Sequence, residues 1–320
     1  MKIGIPKALL YHYYYPFWNC LLTELGCEVV LSDDTNTNLI TDGIKVTVSE
    51  MCVPIKIFNG HVLNLLAKDV DYIFIPQFIS QGKEWFCPKF VGLGEIVKYS
   101  ILDSNNKLIV LFIENKTDIP DKFSCYEPLC SILGVKKLQL RRALKKAKKV
   151  FLSFRSLCTQ GYTVSEAFDI LDGKSVTLEK RDSEITIGLM GYVYNVYDNY
   201  VSMNIIEKLR QMGVRVITFD MVDENEILPD RSRGKQPFWV FARKIYNASQ
   251  YIDRNERPDG FIHLTAFCCG PDSIISKMME LDFGEDNIPF MTVRVDEHTG
   301  ESHVQTRIEA FVDMLKISKQ

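Results

Sequence analysis

The chain has 320 residues, of which 46% are hydrophobic and 25% charged, with a formal net charge of −3. This is ordinary for a globular protein with a full core, and the near-neutral balance gives no global field for nucleic acid. No run approaches the ~20 apolar residues of a membrane span, and the nine cysteines are read as thiols of a reducing compartment rather than a disulfide framework; the expectation is a cytoplasmic protein.

Met1 to Pro6 reads as a short strand and a turn rather than a signal peptide. A helix follows from Tyr15 to Leu25 and stops at Gly26, and Glu28 to Leu31 is a second strand. Val53 to Ala67 has helical periodicity, with Ile55, Phe58, Val62, Leu65 and Leu66 on one side. Asp71 to Pro76 and Leu108 to Phe112 are further apolar strands. Leu138 to Leu171 reads mostly as one long helix; its basic run from Lys136 to Lys149 is taken as a solvated face. Gly173 and the polar stretch to Glu184 look like a linker.

The pattern then restarts. Ile185 to Met190 is a strand, Val201 to Met212 a helix ending at Gly213, and Val214 to Thr218 a strand. A helix over 239–253 precedes the strand Gly260 to Leu264. Another helix leads to the strand Pro289 to Val293, and Thr306 to Ile317 is the last helix, with Thr306 or Ser302 as its cap. Alternation of apolar strands with helices implies an α/β fold of parallel sheets. The boundaries expected are an α/β domain over 1–137, a helical connector over 138–184 and a second α/β domain over 185–320. Both domains read as doubly wound and Rossmann-like, with ligands at the carboxyl ends of strands and a site in the cleft between domains.

Three cysteines stand out because each lies in a breaker-rich turn with proline within the next two residues: Cys52 before Pro54, Cys87 before Pro88, and Cys269 before Pro271. Proline is tolerated in the first helical turn. A cysteine just ahead of it sits where free amides and the helix dipole favour a thiolate. Structural zinc is disfavoured, since its ligands come in close pairs; an iron–sulfur cluster tolerates scattered thiolates. Cys268 is either a spectator or a fourth ligand. A nucleophilic Cys269 lacks a histidine that the sequence places beside it, and a thiol switch at Cys268-Cys269 is a metal-free alternative. Cys20, Cys27, Cys125, Cys130 and Cys158 read as core thiols.

Other polar groups are less specific. Asp296 to Glu301 follows a strand, and Glu297, His298 and Glu301 suit proton transfer or substrate fixation; the same run also reads as a helix entry with Glu301 serving the dipole. Tyr192, Tyr194, Tyr197 and Tyr200 either pack or shield a cluster, and Asp198 is read as a helix cap. Lys56, Lys83 and Lys89 flank the first two cysteines; they read first as surface lysines, and otherwise as cations that would raise the potential of a negatively charged cluster or hold an acyl carboxylate or a phosphate. Gly188 and Gly191 do not make a dinucleotide fingerprint, and no G-x-x-x-x-G-K-[ST] run is present.

The chain resembles the proteins related to acyl-CoA dehydratase activases, iron–sulfur relatives of the 2-hydroxyacyl-CoA dehydratase subunits found mainly in anaerobes. The resemblance rests on Gly4-Ile5-Pro6-Lys7-Ala8-Leu9, Cys52-Val53-Pro54-Ile55-Lys56, Cys87-Pro88-Lys89, Tyr194-Asn195-Val196-Tyr197-Asp198, Phe267 to Ser273 and Asp296 to Glu301. It implies a 4Fe–4S-type cluster, or a larger joined one, on Cys52, Cys87 and Cys269. Cys268 stands where that family usually has glycine, which leaves the ligand count open. The implied activity is dehydratase- or reductase-like chemistry on a small substrate such as an acyl-CoA. The implied partner is an ATP-dependent activase with its own cluster. A non-catalytic electron carrier or scaffold is the alternative, and pairing of two chains stays open.

Overall fold

The computed structural model describes residues 1–104, 106–177, 183–229, 234–297 and 299–319. The chain divides into two units, 1–156 and 157–320.

In the first unit β1 (Lys2–Ile5), α1 (Tyr11–Glu24) and β2 (Glu28–Leu31) come first, followed by α2 (Thr37–Val46) and α3 (Val53–Leu66). Next are β3 (Tyr72–Gln81), the short β4 (Glu84–Trp85), α4 (Pro88–Val91) and α5 (Leu93–Ser100). The unit closes with β5 (Leu108–Asn115), α6 (Phe123–Tyr126), α7 (Pro128–Leu133) and α8 (Lys137–Thr159), whose last turn enters the second unit. Strands β2, β1, β3 and β5 lie side by side in that order and are all parallel, and β4 folds back antiparallel on the end of β3. The central strands are buried on both faces, which is why they read as continuous apolar runs.

Aromatic residues of α1 fill the layer over this sheet. Tyr14 stacks on Phe78 at 4.9 Å and on Phe151 of α8 at 5.5 Å. The hydroxyls of Tyr13 and Tyr14 donate to Asp118 at 2.7 and 3.2 Å, so the buried carboxylate has partners. Helices α2 and α3 cross almost in backbone contact. A Cβ at Gly43 would lie 2.0 Å from the Lys56 carbonyl oxygen, and one at Gly60 would lie 2.1 Å from that of Leu39. Only glycine permits that approach, and it seats the helix that Cys52 opens. Lys56 is buried here rather than a surface lysine, because α2 closes over it.

The basic face of α8 is partly neutralised by its own unit. Lys146 pairs with Glu24, Lys148 with Asp121 and Lys137 with Glu127, and Arg141 lies over the Phe123 ring at 5.0 Å. The expected single helix over 138–171 is two. Gly161 takes φ +98°, and Thr163 starts α9 (Val164–Leu171) with a reciprocal capping box to Glu166.

The second unit continues with β6 (Ile185–Met190), α10 (Val193–Val196), α11 (Ile205–Gln211) and β7 (Val214–Thr218). Then come α12 (Val240–Glu256), β8 (Gly260–Ala266), α13 (Gly270–Glu285), β9 (Phe290–Val295) and α14 (Glu301–Ser318). Its sheet, β7-β6-β8-β9, is wholly parallel. In each unit the first strand is flanked by the second and third, so both are doubly wound α/β sheets with the expected Rossmann-like plan. Asp198 closes a turn by accepting from the Tyr200 and Val201 amides, so the helix expected from Val201 begins at Ile205. The last helix begins at Glu301 after Gly300 rather than at a Ser302 or Thr306 cap. Among the described residues no helix is long and apolar enough to cross a membrane.

Candidate functional site

All three singled-out cysteines are N-cap residues. Cys52 caps α3 with φ −65° and ψ 150°, and Cys87 caps α4 with φ −63° and ψ 153°. Cys269 caps α13 with φ −85° and ψ 101°. Each helix carries proline in its first turn, where the missing N–H leaves no donor unsatisfied. Each thiol therefore stands at the positive end of a helix, as the Cys-Pro spacing suggested.

Within the first unit Cys87 lies near enough to Cys52 for its thiolate to disfavour that of Cys52. Burial pushes the Cys52 thiol up to about 11; the Ile55 amide opposes this and the Cys87 charge adds to it. Burial also raises Cys87, against the amides of Phe90 and Lys89 and the Lys89 ammonium. Two half-buried thiols that resist deprotonation, each at a helix start whose amides favour the thiolate, suit a metal group whose positive charge replaces both protons. Fit to a thiolate-ligated cluster is thus met by the donor chemistry of this pair.

In the second unit Cys268 and Cys269 diverge. Cys268 is exposed, with φ +61°, and Cys269 is buried. The strand and helix on either side share a fully buried pair, His263 Nε2 to Asp272 Oδ1 at 2.9 Å. Sequence reasoning found no histidine associated with this loop. The available signal was a lone imidazole in the apolar strand Phe261 to Leu264. Asn195, in the short helix α10 after β6, is also fully buried, and neither of its side-chain polar atoms has a partner among the described residues. Gly191 brings the turn between β6 and α10 against β8, since a Cβ there would lie 2.5 Å from the Leu264 carbonyl oxygen. Tyr192, Tyr194 and Tyr197 are buried, and Tyr200 is exposed. The Tyr197 hydroxyl bonds Thr218 at 2.8 Å and the Asp220 carboxylate at 2.8 and 3.0 Å.

Of the acid–histidine run, His298 lies outside the described residues, and Glu297 is half-buried. Glu301 opens α14 and accepts from Lys208 Nζ at 2.6 Å, which holds its carboxyl below the usual range. Thr299 and Asp296 close the loop reciprocally at 2.8 Å. A groove of about 870 Å³ in the second unit is lined by Glu166, Glu207, Arg210, Asp223 and Tyr251 among others. None of the candidate cysteines or acids lines it. Among the described residues no group of three or more His, Cys, Asp or Glu stands in a metal-holding arrangement.

Residues 163–315 match the family model of the 2-hydroxyglutaryl-CoA dehydratase D-component, a stretch inside the second unit. No curated protein matches the chain. Residues 2–222 match the model of the CoA enzyme activase uncharacterised domain (DUF2229), more than half of the sequence, and the chain belongs to that family.

Proposed function

We propose that this chain is an iron–sulfur protein with a 2-hydroxyacyl-CoA dehydratase-related role, holding a 4Fe–4S-type cluster on the thiols of Cys52, Cys87 and Cys269. The observation that supports the ligand set most directly is the common placement of those three cysteines as N-caps of proline-started helices. When bound, such a cluster supplies one-electron transfer and, at an iron with an open position, Lewis acidity.

The chain's own residues do the rest. The helix amides behind Cys52 and Cys87 stabilise thiolates, and Lys89 offsets part of their charge. Cys268 stays outside the ligand set, since it is the exposed member of its pair. Glu297, His298 and Glu301 handle protons or orient substrate, with Lys208 keeping Glu301 ionised. The electron donor is an ATP-dependent activase, a reading the family likeness supports.

Anaerobic reconstitution with iron and sulfide tests this. Wild type and Cys268→Ala are expected to take up iron and acid-labile sulfide and to give the electron paramagnetic resonance signal of a reduced cluster. Cys52→Ala, Cys87→Ala and Cys269→Ala are expected to lose both. Full iron and sulfide content in any of those three variants removes that residue from the ligand set.

A further inference from the structure

The run Gly4-Ile5-Pro6-Lys7-Ala8-Leu9 carries family likeness, yet the iron–sulfur reading uses none of it. It leaves the carboxyl end of β1 and opens α1. Because β2 and β3 flank β1 on opposite sides, this end is the switch point of the sheet, where doubly wound folds bind ligands. Helix α1 has 14 residues and no acid in its first turn, and its N-cap is Leu10, whose side chain cannot accept a hydrogen bond. No side chain of its own compensates that positive end, although the Ala8 and Leu10 carbonyls accept from the Tyr11 and Tyr13 amides. The turn before it is tightly held: Leu9 is buried with φ +53°, a conformation leucine rarely adopts.

A polar network surrounds this turn. The Lys7 amide donates to Ser32 Oγ at 2.8 Å, Ser32 Oγ bonds His61 Nδ1 at 2.8 Å, and Thr35 Oγ1 bonds His61 Nε2 at 3.0 Å. Lys7 Nζ pairs with Asp34, whose side chain is 89% exposed. His12, on the first turn of α1, is 9% exposed, and its Nε2 has no partner among the described residues. Its ring senses Lys7 and Asp34, and His61 senses His12, Lys7, Asp34 and Asp33, so these groups share one neighbourhood. Burial, then Lys7, depresses His12 to about 3; burial, then His12 and Lys7, depresses His61 likewise to about 3. Both imidazoles are thus neutral near pH 7, so Lys7 carries the positive charge of the cluster.

We propose that the β1–α1 turn is a binding site for a phosphate group, free or esterified, held by the α1 N-terminus, Lys7 Nζ and His12 Nε2. The exposed Asp34 carboxylate is the chain's own competitor for Lys7. The site does not depend on iron, so its failure and that of the cluster reading are separable.

The test is calorimetric titration of the full-length protein with inorganic phosphate and with pyrophosphate, acetate serving as the carboxylate control. Lys7→Met is expected to weaken phosphate binding by about tenfold, as for loss of one charge-assisted hydrogen bond. Asp34→Asn is expected to tighten it by roughly threefold, by removing the competing charge. Opposite signs in the two variants are not produced by a merely structural role. If Lys7→Met does not fold, the exposed Asp34→Asn carries the test alone. No heat with phosphate, acetate binding as tightly as phosphate, or an affinity that Asp34→Asn leaves unchanged or weakens each overturns the proposal.

Discussion

Cys268 shows at the scale of one residue how backbone and side chain divide their roles. Its φ of +61° lies in the left-handed region, where a Cβ costs about 1–2 kcal/mol, and glycine avoids that cost. The resemblance already marked this position as one where glycine is usual, and the backbone gives the reason. Cys268→Gly and Cys268→Ala both remove the thiol, so their difference isolates the backbone. The glycine variant is expected to be more stable than the alanine variant by about 1 kcal/mol, measured by urea unfolding; equal or reversed midpoints would show that this turn is not constrained. Sequence reasoning placed Cys268 beside the site but had no means of saying which of two adjacent side chains turns inward. The His263–Asp272 pair was likewise beyond it, because the partners stand nine positions apart in the chain and only the packing of α13 on β8 joins them.

At the scale of elements, helix starts were the most legible features. A cysteine followed by proline reads as an N-cap because proline's missing donor is harmless only there, and the three helices begin where that rule put them. The start of α9 carried an equally local signal, Thr163 with Glu166 three residues on, but the long periodic run before it masked the break. Glu166 serves twice, closing the capping box and accepting from Arg210 at 2.7 and 3.2 Å. Burial pulls its pKa upward, but the Arg210 and Thr163 hydrogen bonds outweigh this and leave it below the ordinary 4.5. A carboxylate depressed in the folded state contributes stability above its unfolded pKa and loses it as pH falls through the folded value. Wild type is therefore expected to exceed Glu166→Gln by about 1 kcal/mol at pH 7, with the gap closing below pH 4.5. Denaturant titrations across that range check it, and a gap independent of pH would assign the effect to packing.

For the whole molecule, each unit contains its own sheet of four parallel strands, with the antiparallel β4 added in the first, and its own buried core. A fragment of residues 157–320 is expected to unfold cooperatively by circular dichroism and calorimetry, and a non-cooperative melt would show that its core needs residues 1–156. The sequence by itself determined the types of the main strands and helices, the alternation that makes the principal strands of both sheets parallel, and the helix-capping positions of Cys52, Cys87 and Cys269. Each of these follows from residues within a few positions of one another, acting through proline's missing donor and the periodicity of apolar side chains. Only the tertiary structure decided which polar groups meet: Cys52 with Cys87, His61 with Ser32 and Thr35, and Glu301 with Lys208. Those contacts join distant parts of the chain, and burial rewards them only once strand order and helix packing have brought the groups out of water together.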